Sequence, residues 1–558
     1  KFEPTPFEQP PRFEKSMRDY TILAPYFTPF ISPLIPSVLK NVGFHVETLP
    51  ESTVQSADLG LKFANNEVCY PATLVVGDFI RALQSGKYDP QKTAVAITQT
   101  GGQCRASNYF GLIKHALIAA GFKDTPVISL ATSKNIQNDQ PGFELNWLKI
   151  ARITISTVLF SDCLSKFFNA SVVRETVKGK AVELKDKYLE LAKKEIEANN
   201  SNGLLKLLKE AAAEFNDLAK PDVRLPQVGI VGEIYLKFNA FAHKNITGWL
   251  MDHSIEVMPP LLTPFFMQAF VNRITNRKFG LERHHMPSLI VDVLYMWVTK
   301  QIRKFNEIGE QFRYFTPIED IFELANDGKG IINMAAQFGE GWLLPAEVVN
   351  FAKHGIENVI SLQPFGCIAN HIISKGIEKK IKSLYPHMNL LSLDFDSGVS
   401  DVNVTNRLLL FVENIRTAAA PAPAEKEKKK EEKPVLIDTQ DLDNLIENPP
   451  VIKNIRINRA KIIQKAVDET EIDEAVDNPT EQIRGAGDVD EADAKEPETL
   501  TTPVVPTEKP EEDSSSTGTT VELTGGMSVI KDQTPEEEKK PAPGIPKAMP
   551  YIIRVNTK

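Results

Sequence analysis

Cysteine is scarce in this chain, with four in 558 residues, and no secretory apolar core opens it, so a disulfide-stapled extracellular protein is not what the composition describes. These absences point to a reducing cytoplasm. Long apolar runs are missing too. The best candidate, Ile22 to Leu39, is interrupted by Pro25, Pro29, Pro33 and Pro36, and no run reaches the ~18 residues of a spanning helix. The reading is therefore a protein without a membrane segment, although the chain opens on Lys1 rather than Met and nothing upstream is excluded.

An excess of positive charge is also lacking. The net charge is −9, but residues from Thr417 on carry 30 acidic and 19 basic side chains, which leaves 43 acidic and 45 basic before them. A nearly neutral body without a basic stripe argues against a nucleic-acid partner.

What is present is an alternation of strand and helix patterns. Asp19 to Phe27, Phe44 to Leu49, Lys92 to Thr98 and Pro126 to Ala131 are apolar, β-rich runs, with helical patterns over Pro33 to Asn41 and Ser107 to Ala120. Between 145 and 220 the spacing turns to i, i+3, i+4 with charge on the opposite faces, which predicts helices. The alternation resumes at Pro226. QVGIVGEIYLKF reads as a strand, Ala242 to Asp252 as a helix and Ile255 to Met258 as a strand. Further helices follow between Pro264 and Phe305. Strand Glu357 to Gln363, helix Ile368 to Leu384, strand Asn389 to Phe395 and helix Asn403 to Asn414 complete the series.

Such alternation means parallel βαβ units. The expected fold is α/β, with two doubly wound, Rossmann-like (flavodoxin-like) domains. Residues 1–17 form an irregular segment, 18–165 a first α/β domain, 166–222 a helical connector and 223–416 a second α/β domain. The acidic remainder, 417–558, has one aromatic residue and is expected to be disordered apart from a short helix around Ile455 to Val467.

In open α/β sheets, ligands bind beyond the carboxyl ends of strands, where loops enter helix N-termini. Cys104 lies in TQTGGQCRASNY after strand KTAVAIT, Cys367 in QPFGCIANH after strand ENVISLQ, and Cys69 in NNEVCYPAT at a helix start marked by Pro71. A helix N-terminus favours the thiolate that metal binding or nucleophilic chemistry requires. Gly101, Gly102 and Gly366 allow close backbone approach to a bound group, and Asn370 and His371 read equally as donors around it or as helix caps. The bland alternative is that each cysteine is a small buried hydrophobe. That reading is preferred for Cys163, on an apolar helical stripe in TVLFSDCLSKFF. Separations of 35 and 263 residues match no compact metal motif.

Weaker candidates are Glu233, as a base or ligand against a structural hydrogen-bonding role, and His284 and His285, as ligands against exposure in a polar turn. Asp394, Asp396 and Ser400 read as helix caps.

The words NNEVCYPA, TGGQCRASNY, VGEIYLKFNAFAHKN, GEGWLLPAEVV, QPFGCIANHI and DFDSGVSDVN resemble, in that order, the dehydratase-related region of large acyl-CoA dehydratase activators. That region is itself related to the 2-hydroxyacyl-CoA dehydratases. The resemblance spans about Tyr20 to Arg416. It implies that Cys69, Cys104 and Cys367 hold one iron–sulfur cluster, of the four-iron, four-sulfur type. It further implies low-potential electrons supplied by an ATP-hydrolysing activator, and admits an acyl-CoA partner and a dimer. The chain departs from large activators in showing no actin-like nucleotide site signature and no GxxxxGK[ST] loop, so the ATPase is expected on another chain or upstream.

The expected function is a cluster-binding redox protein, with a dehydratase-like lyase or a component of an ATP-dependent reductase as its enzymatic form. A non-catalytic adaptor in an activator complex and a metal-free small-molecule binder are the alternatives. One shared cluster requires the three sulfurs to converge within about 7 Å, with Cys163 outside the group.

Overall fold

In the computed structural model, residues 10–65, 67–99, 104–131, 140–281 and 288–419 are described, together with 436–437 and 456–457. The loop glycines Gly101 and Gly102, the pair His284 and His285, and most of 417–558 lie outside the described residues. Thr417–Ala419 continue the last helix of the body, so the body ends slightly beyond the expected boundary. Leu436–Ile437 pairs in parallel with Arg456–Ile457.

The first half of the body contains β1 (Thr21–Ala24), α1 (Ile35–Lys40), β2 (His45–Thr48), α2 (Val54–Phe63), α3 (Tyr70–Gln84), β3 (Thr93–Gln99), α4 (Tyr109–Ala119) and β4 (Val127–Ala131). Three long helices follow: α5 (Trp147–Val172), α6 (Lys180–Glu197) and α7 (Ser201–Leu218). The second half runs β5 (Gln227–Gly232), α8 (Ile234–Phe238), α9 (Ile246–Asp252), β6 (Glu256–Met258), α10 (Leu262–Lys278), α11 (Ser288–Gly309), α12 (Ile321–Lys329), α13 (Leu343–Lys353), β7 (Asn358–Pro364), α14 (Lys375–Leu384), β8 (Asn389–Phe395) and α15 (Asp401–Ala419).

Both sheets are four-stranded and parallel, ordered β2-β1-β3-β4 and β6-β5-β7-β8. The two orders are the same winding, consistent with a Rossmann-like fold, and each has its reversal between the first and third strands of its set. The loops after β3, β5 and β7 therefore open at the places where such sheets bind ligands.

Several expectations needed correction. QVGIVGEIYLKF is a strand only to Gly232, where φ is +136° and a Cβ would lie 2.1 Å from the Leu362 carbonyl. That residue turns the chain, and Glu233 caps a helix through a bond from the Leu236 N–H at 2.8 Å. Helix α5 crosses the expected boundary at 165/166 without a break, because its buried stripe from Ile150 to Phe167 is continuous. The sequence reading also missed α2, which separates β2 from Cys69. That cysteine consequently follows a helix rather than a strand.

The two α/β halves are not separate globules. One apolar cluster takes Leu23, Val95 and Ile97 from the first sheet and Val228, Ile230, Ile360 and Leu362 from the second. A second cluster joins the other face of the first sheet to α5, α6, α7 and α11, where α7 contributes Leu204, Leu207, Leu208, Ala211 and Phe215 at helical spacing. Polar bonds cross the junction as well. Ser52 Oγ donates to Asp78 (2.7 Å) and meets the Tyr235 hydroxyl at 3.1 Å, and the Phe241 N–H donates to Glu51 at 2.9 Å. Among the described residues, no helix is long and apolar enough to cross a membrane.

Helix α3 is buried along nearly its whole length and crosses α2 at two glycines. A Cβ on Gly77 would fall 1.7 Å from the Ser56 carbonyl oxygen, so the helices can approach this closely only without it. Gly77→Ala is expected to destabilise the protein by about 3 kcal/mol, at the upper end for overpacking, as a lowered urea midpoint with little change in slope.

Burial raises the Asp78 carboxyl from 3.8 to about 6, against the pull of Ser56, Ser52 and Arg81. Folding therefore favours its neutral form: the contribution is complete below the unfolded value and is lost as pH rises through 6. Asn is neutral throughout. The stability advantage of wild type over Asp78→Asn should shrink by up to about 3 kcal/mol between about pH 4 and pH 8, measured by denaturant titration.

Candidate functional site

Cys69, Cys104 and Cys367 line one pocket, of about 490 Å³ including its open mouth, between the carboxyl ends of the two sheets. Cys163 does not belong to it; that residue is fully buried in α5 among apolar side chains. None of the four cysteines is in a disulfide.

Each pocket cysteine is set by its local chain. Cys69 is the N-cap of α3, in extended conformation, with Pro71 in the first turn. Cys104 caps the 3-10 turn Arg105–Asn108 that leads into α4, and its carbonyl accepts from the Ser107 N–H (3.1 Å) and hydroxyl (2.6 Å). Cys367 follows β7, and its carbonyl accepts the His371 N–H at 3.0 Å. The next turn, Ala369–Ser374, is π-helical, a local widening that often accompanies functional sites.

The halves of the site are joined by a backbone bond, from the Tyr70 N–H to the Phe365 carbonyl across 3.1 Å. Within the first half, the Arg105 side chain donates to the Glu67 carbonyl at 2.9 Å. Gly366, at φ +80°, faces the start of α3. A Cβ there would stand 2.6 Å from the Val68 carbonyl oxygen and 3.2 Å from Cys69 Cα, so the expected role of Gly366 in close approach has a definite partner.

Two sulfurs have polar neighbours. Cys69 Sγ lies 3.0 Å from the buried Tyr109 hydroxyl, and the Asn370 side-chain amide donates to Cys367 Sγ at 3.1 Å. Asn370 is thus a sulfur donor rather than a helix cap. His371 lies 3.9 Å from Asp394, and its Nε2 is buried without a partner. Asp394 chiefly accepts Lys375 at 2.7 and 2.8 Å, which corrects its reading as a cap. Asp396 instead closes a turn onto the Gly398 N–H (2.7 Å), and Ser400 immediately precedes α15.

Two acids share the pocket with the thiols, Glu233 and Glu340. Burial raises both above the carboxylate range; Glu233 further raises Glu340, while Lys237 opposes the shift in each. Burial is likewise the first cause that pushes Cys69 up to about 12, with Glu233 the second, and the same two causes raise Cys367. Bare thiolates are disfavoured here. A pocket that gathers three thiols and two acids in an apolar setting accepts negative charge only against a positive occupant.

Tyr109 and Glu340 were not singled out from sequence as site residues. The signals were the Tyr in CRASNY and the Glu in GEGW, but only tertiary packing brings either to the cysteines. Among the described residues, no group of three or more His, Cys, Asp or Glu side chains is arranged to hold a single metal ion. A cluster binds each thiolate at a different iron, so its ligands stand farther apart than those of one ion. Soft thiols, a side-chain amide on one sulfur and glycine backbone beside them suit that larger group. The chain matches no model of a known protein family, and no curated protein matches it.

Thiol labelling checks the placement. Iodoacetamide applied to the native metal-free protein at about pH 8 should alkylate Cys104, which is half-buried, before Cys69. Cys163 should react only on unfolding, and equal rates for Cys104 and Cys163 by peptide mass analysis would contradict the arrangement.

Proposed function

We propose that the chain binds one iron–sulfur cluster through Cys69, Cys104 and Cys367, and handles low-potential electrons supplied by an ATP-hydrolysing partner, in the manner of the dehydratase and activator family that its sequence resembles. The observation that carries this reading is the meeting of three cysteines, distant in sequence, in one pocket. Cytoplasmic location, an acyl-CoA partner and the choice between a lyase and a reductase component belong to the same proposal.

The protein's part is to hold and insulate. Cys69 caps α3, and the Ala72 N–H favours its thiolate, but burial outweighs that help until a positive occupant shares the pocket. Tyr109 and Asn370 donate to sulfur, which lowers electron density there and raises the potential at which an electron is accepted. Phe265, Phe338 and Ile368 give the pocket an apolar lining beside the sulfurs. When bound, the cluster would supply single-electron transfer and, at an iron not held by thiolate, a Lewis-acidic position. Glu233, raised by burial, can retain a proton beside it.

Iron and acid-labile sulfide analysis of protein purified without oxygen, with its visible spectrum, tests the reading. Wild type should hold both iron and sulfide. Cys104→Ser should lose most of the iron while circular dichroism stays unchanged, and Cys163→Ser should keep it. Iron bound equally by wild type and Cys104→Ser, or by neither, sinks the proposal.

A further inference from the structure

Three thiolates cannot satisfy four irons, so the cluster reading leaves one iron in want of a ligand. The pocket holds one side chain in the complementary condition. Glu340 is 3% exposed and lines the pocket, and its Oε1 is buried with no hydrogen-bond partner among the described residues. An orphaned carboxylate oxygen in an apolar site is destabilising, and a ligand at that oxygen would offset the cost.

The loop that carries Glu340 is built for close approach. Gly339 (φ +58°) and Gly341 (φ +37°) flank it in left-handed conformation. A Cβ on Gly341 would collide with the Ala336 carbonyl at 2.1 Å, and one on Gly339 would stand 3.7 Å from Cys104 Sγ. The glycine pair therefore brings the Glu340 backbone up against the cysteine loop. The nearby N–H groups of Ile234 and of Glu340 itself favour the charged form of the carboxyl, against burial.

Glu233 is the rival acid, and it is already committed. Its Oε2 accepts the Leu236 N–H as the cap of α8, so its withdrawal would uncap a helix. We infer that Glu340 is an oxygen ligand to the iron left without a thiolate, an inference that rests on the cluster reading above. Carboxylate oxygen is an ordinary donor to iron, and a ligand of this kind, unlike water, makes the fourth position selective.

The test uses the full chain, purified without oxygen and reduced, in water enriched in the magnetic oxygen isotope. Pulsed electron paramagnetic resonance then reports whether water is bound to the cluster. With Glu340 as ligand, wild type shows no solvent-oxygen coupling and Glu340→Ala shows it, at unchanged iron and sulfide content. The variant should also lose its fourth iron at least about tenfold faster on mild oxidation, read from the three-iron signal. Solvent-oxygen coupling in wild type, or its absence from both proteins, overturns the assignment. If Glu340→Ala fails to fold, coupling in wild type still overturns the assignment, and no coupling there, together with slow iron loss, upholds it. Wild type that contains no iron or sulfide removes the cluster reading itself, a result distinct from a water-ligated cluster.

Discussion

The bond from the Tyr70 N–H to the Phe365 carbonyl, with Gly366 lying against Val68 and Cys69, is the contact on which the site depends. It joins the first turn of a helix from one half to the strand-end loop of the other. Without it, Cys69 and Cys367 belong to different sheets with no fixed relation. The bond is short-ranged and the glycine admits no side chain, so the junction has little freedom to open. Behind it, the shared apolar cluster resists separation of the sheets over a much larger area. The backbone bond gives register and the core gives strength.

Charge is arranged around this junction in a graded way. Lys237, with its side chain fully buried, faces Glu347 at 3.4 Å, and its charge lowers the pKa of Glu233 and Glu340. One ammonium cannot neutralise three buried carboxylates. The balance is met by protonation, which burial already favours, or by a cation in the pocket. Three thiolates would deepen the deficit. On the proposed reading, loading the pocket with negative sulfur and filling it with iron would be one event electrostatically, with release of protons from the acids and thiols coupled to occupancy.

Much of the fold was legible because periodicity survives in single elements. Strands such as Asn358–Pro364 and Asn389–Phe395 are short, Val-, Ile- and Leu-bearing segments between helical patterns, and α7 has a clean stripe, so both kinds declared themselves. The misreadings share one cause, that tertiary context decided a locally ambiguous segment. EIYLKF carries strand-forming residues, yet the turn at Gly232 and the cap from Glu233 make it a helix. VQSADLGLKF is too mixed to stand out, yet it forms α2 because Gly60 and Gly77 allow it to pack on α3. Of the site, the three cysteines and Asn370 were legible from residue type and position. Tyr109 and Glu340 were not, since nothing local distinguishes a buried pocket acid from an exposed one.

The placement of Cys69 also bears on how such a site can be built. The usual rule puts ligands after strands at the winding reversal, and Cys104 and Cys367 obey it. Cys69 does not: it follows α2 and reaches the pocket because α3 is driven nearly whole into the interior. A helix buried on every side is costly to displace, so the thiol at its cap is held by the packing of the entire helix rather than by a loop. Two cysteines on strand-end loops can adjust to an occupant. The third, rigid because α3 is rigid, fixes where that occupant must sit.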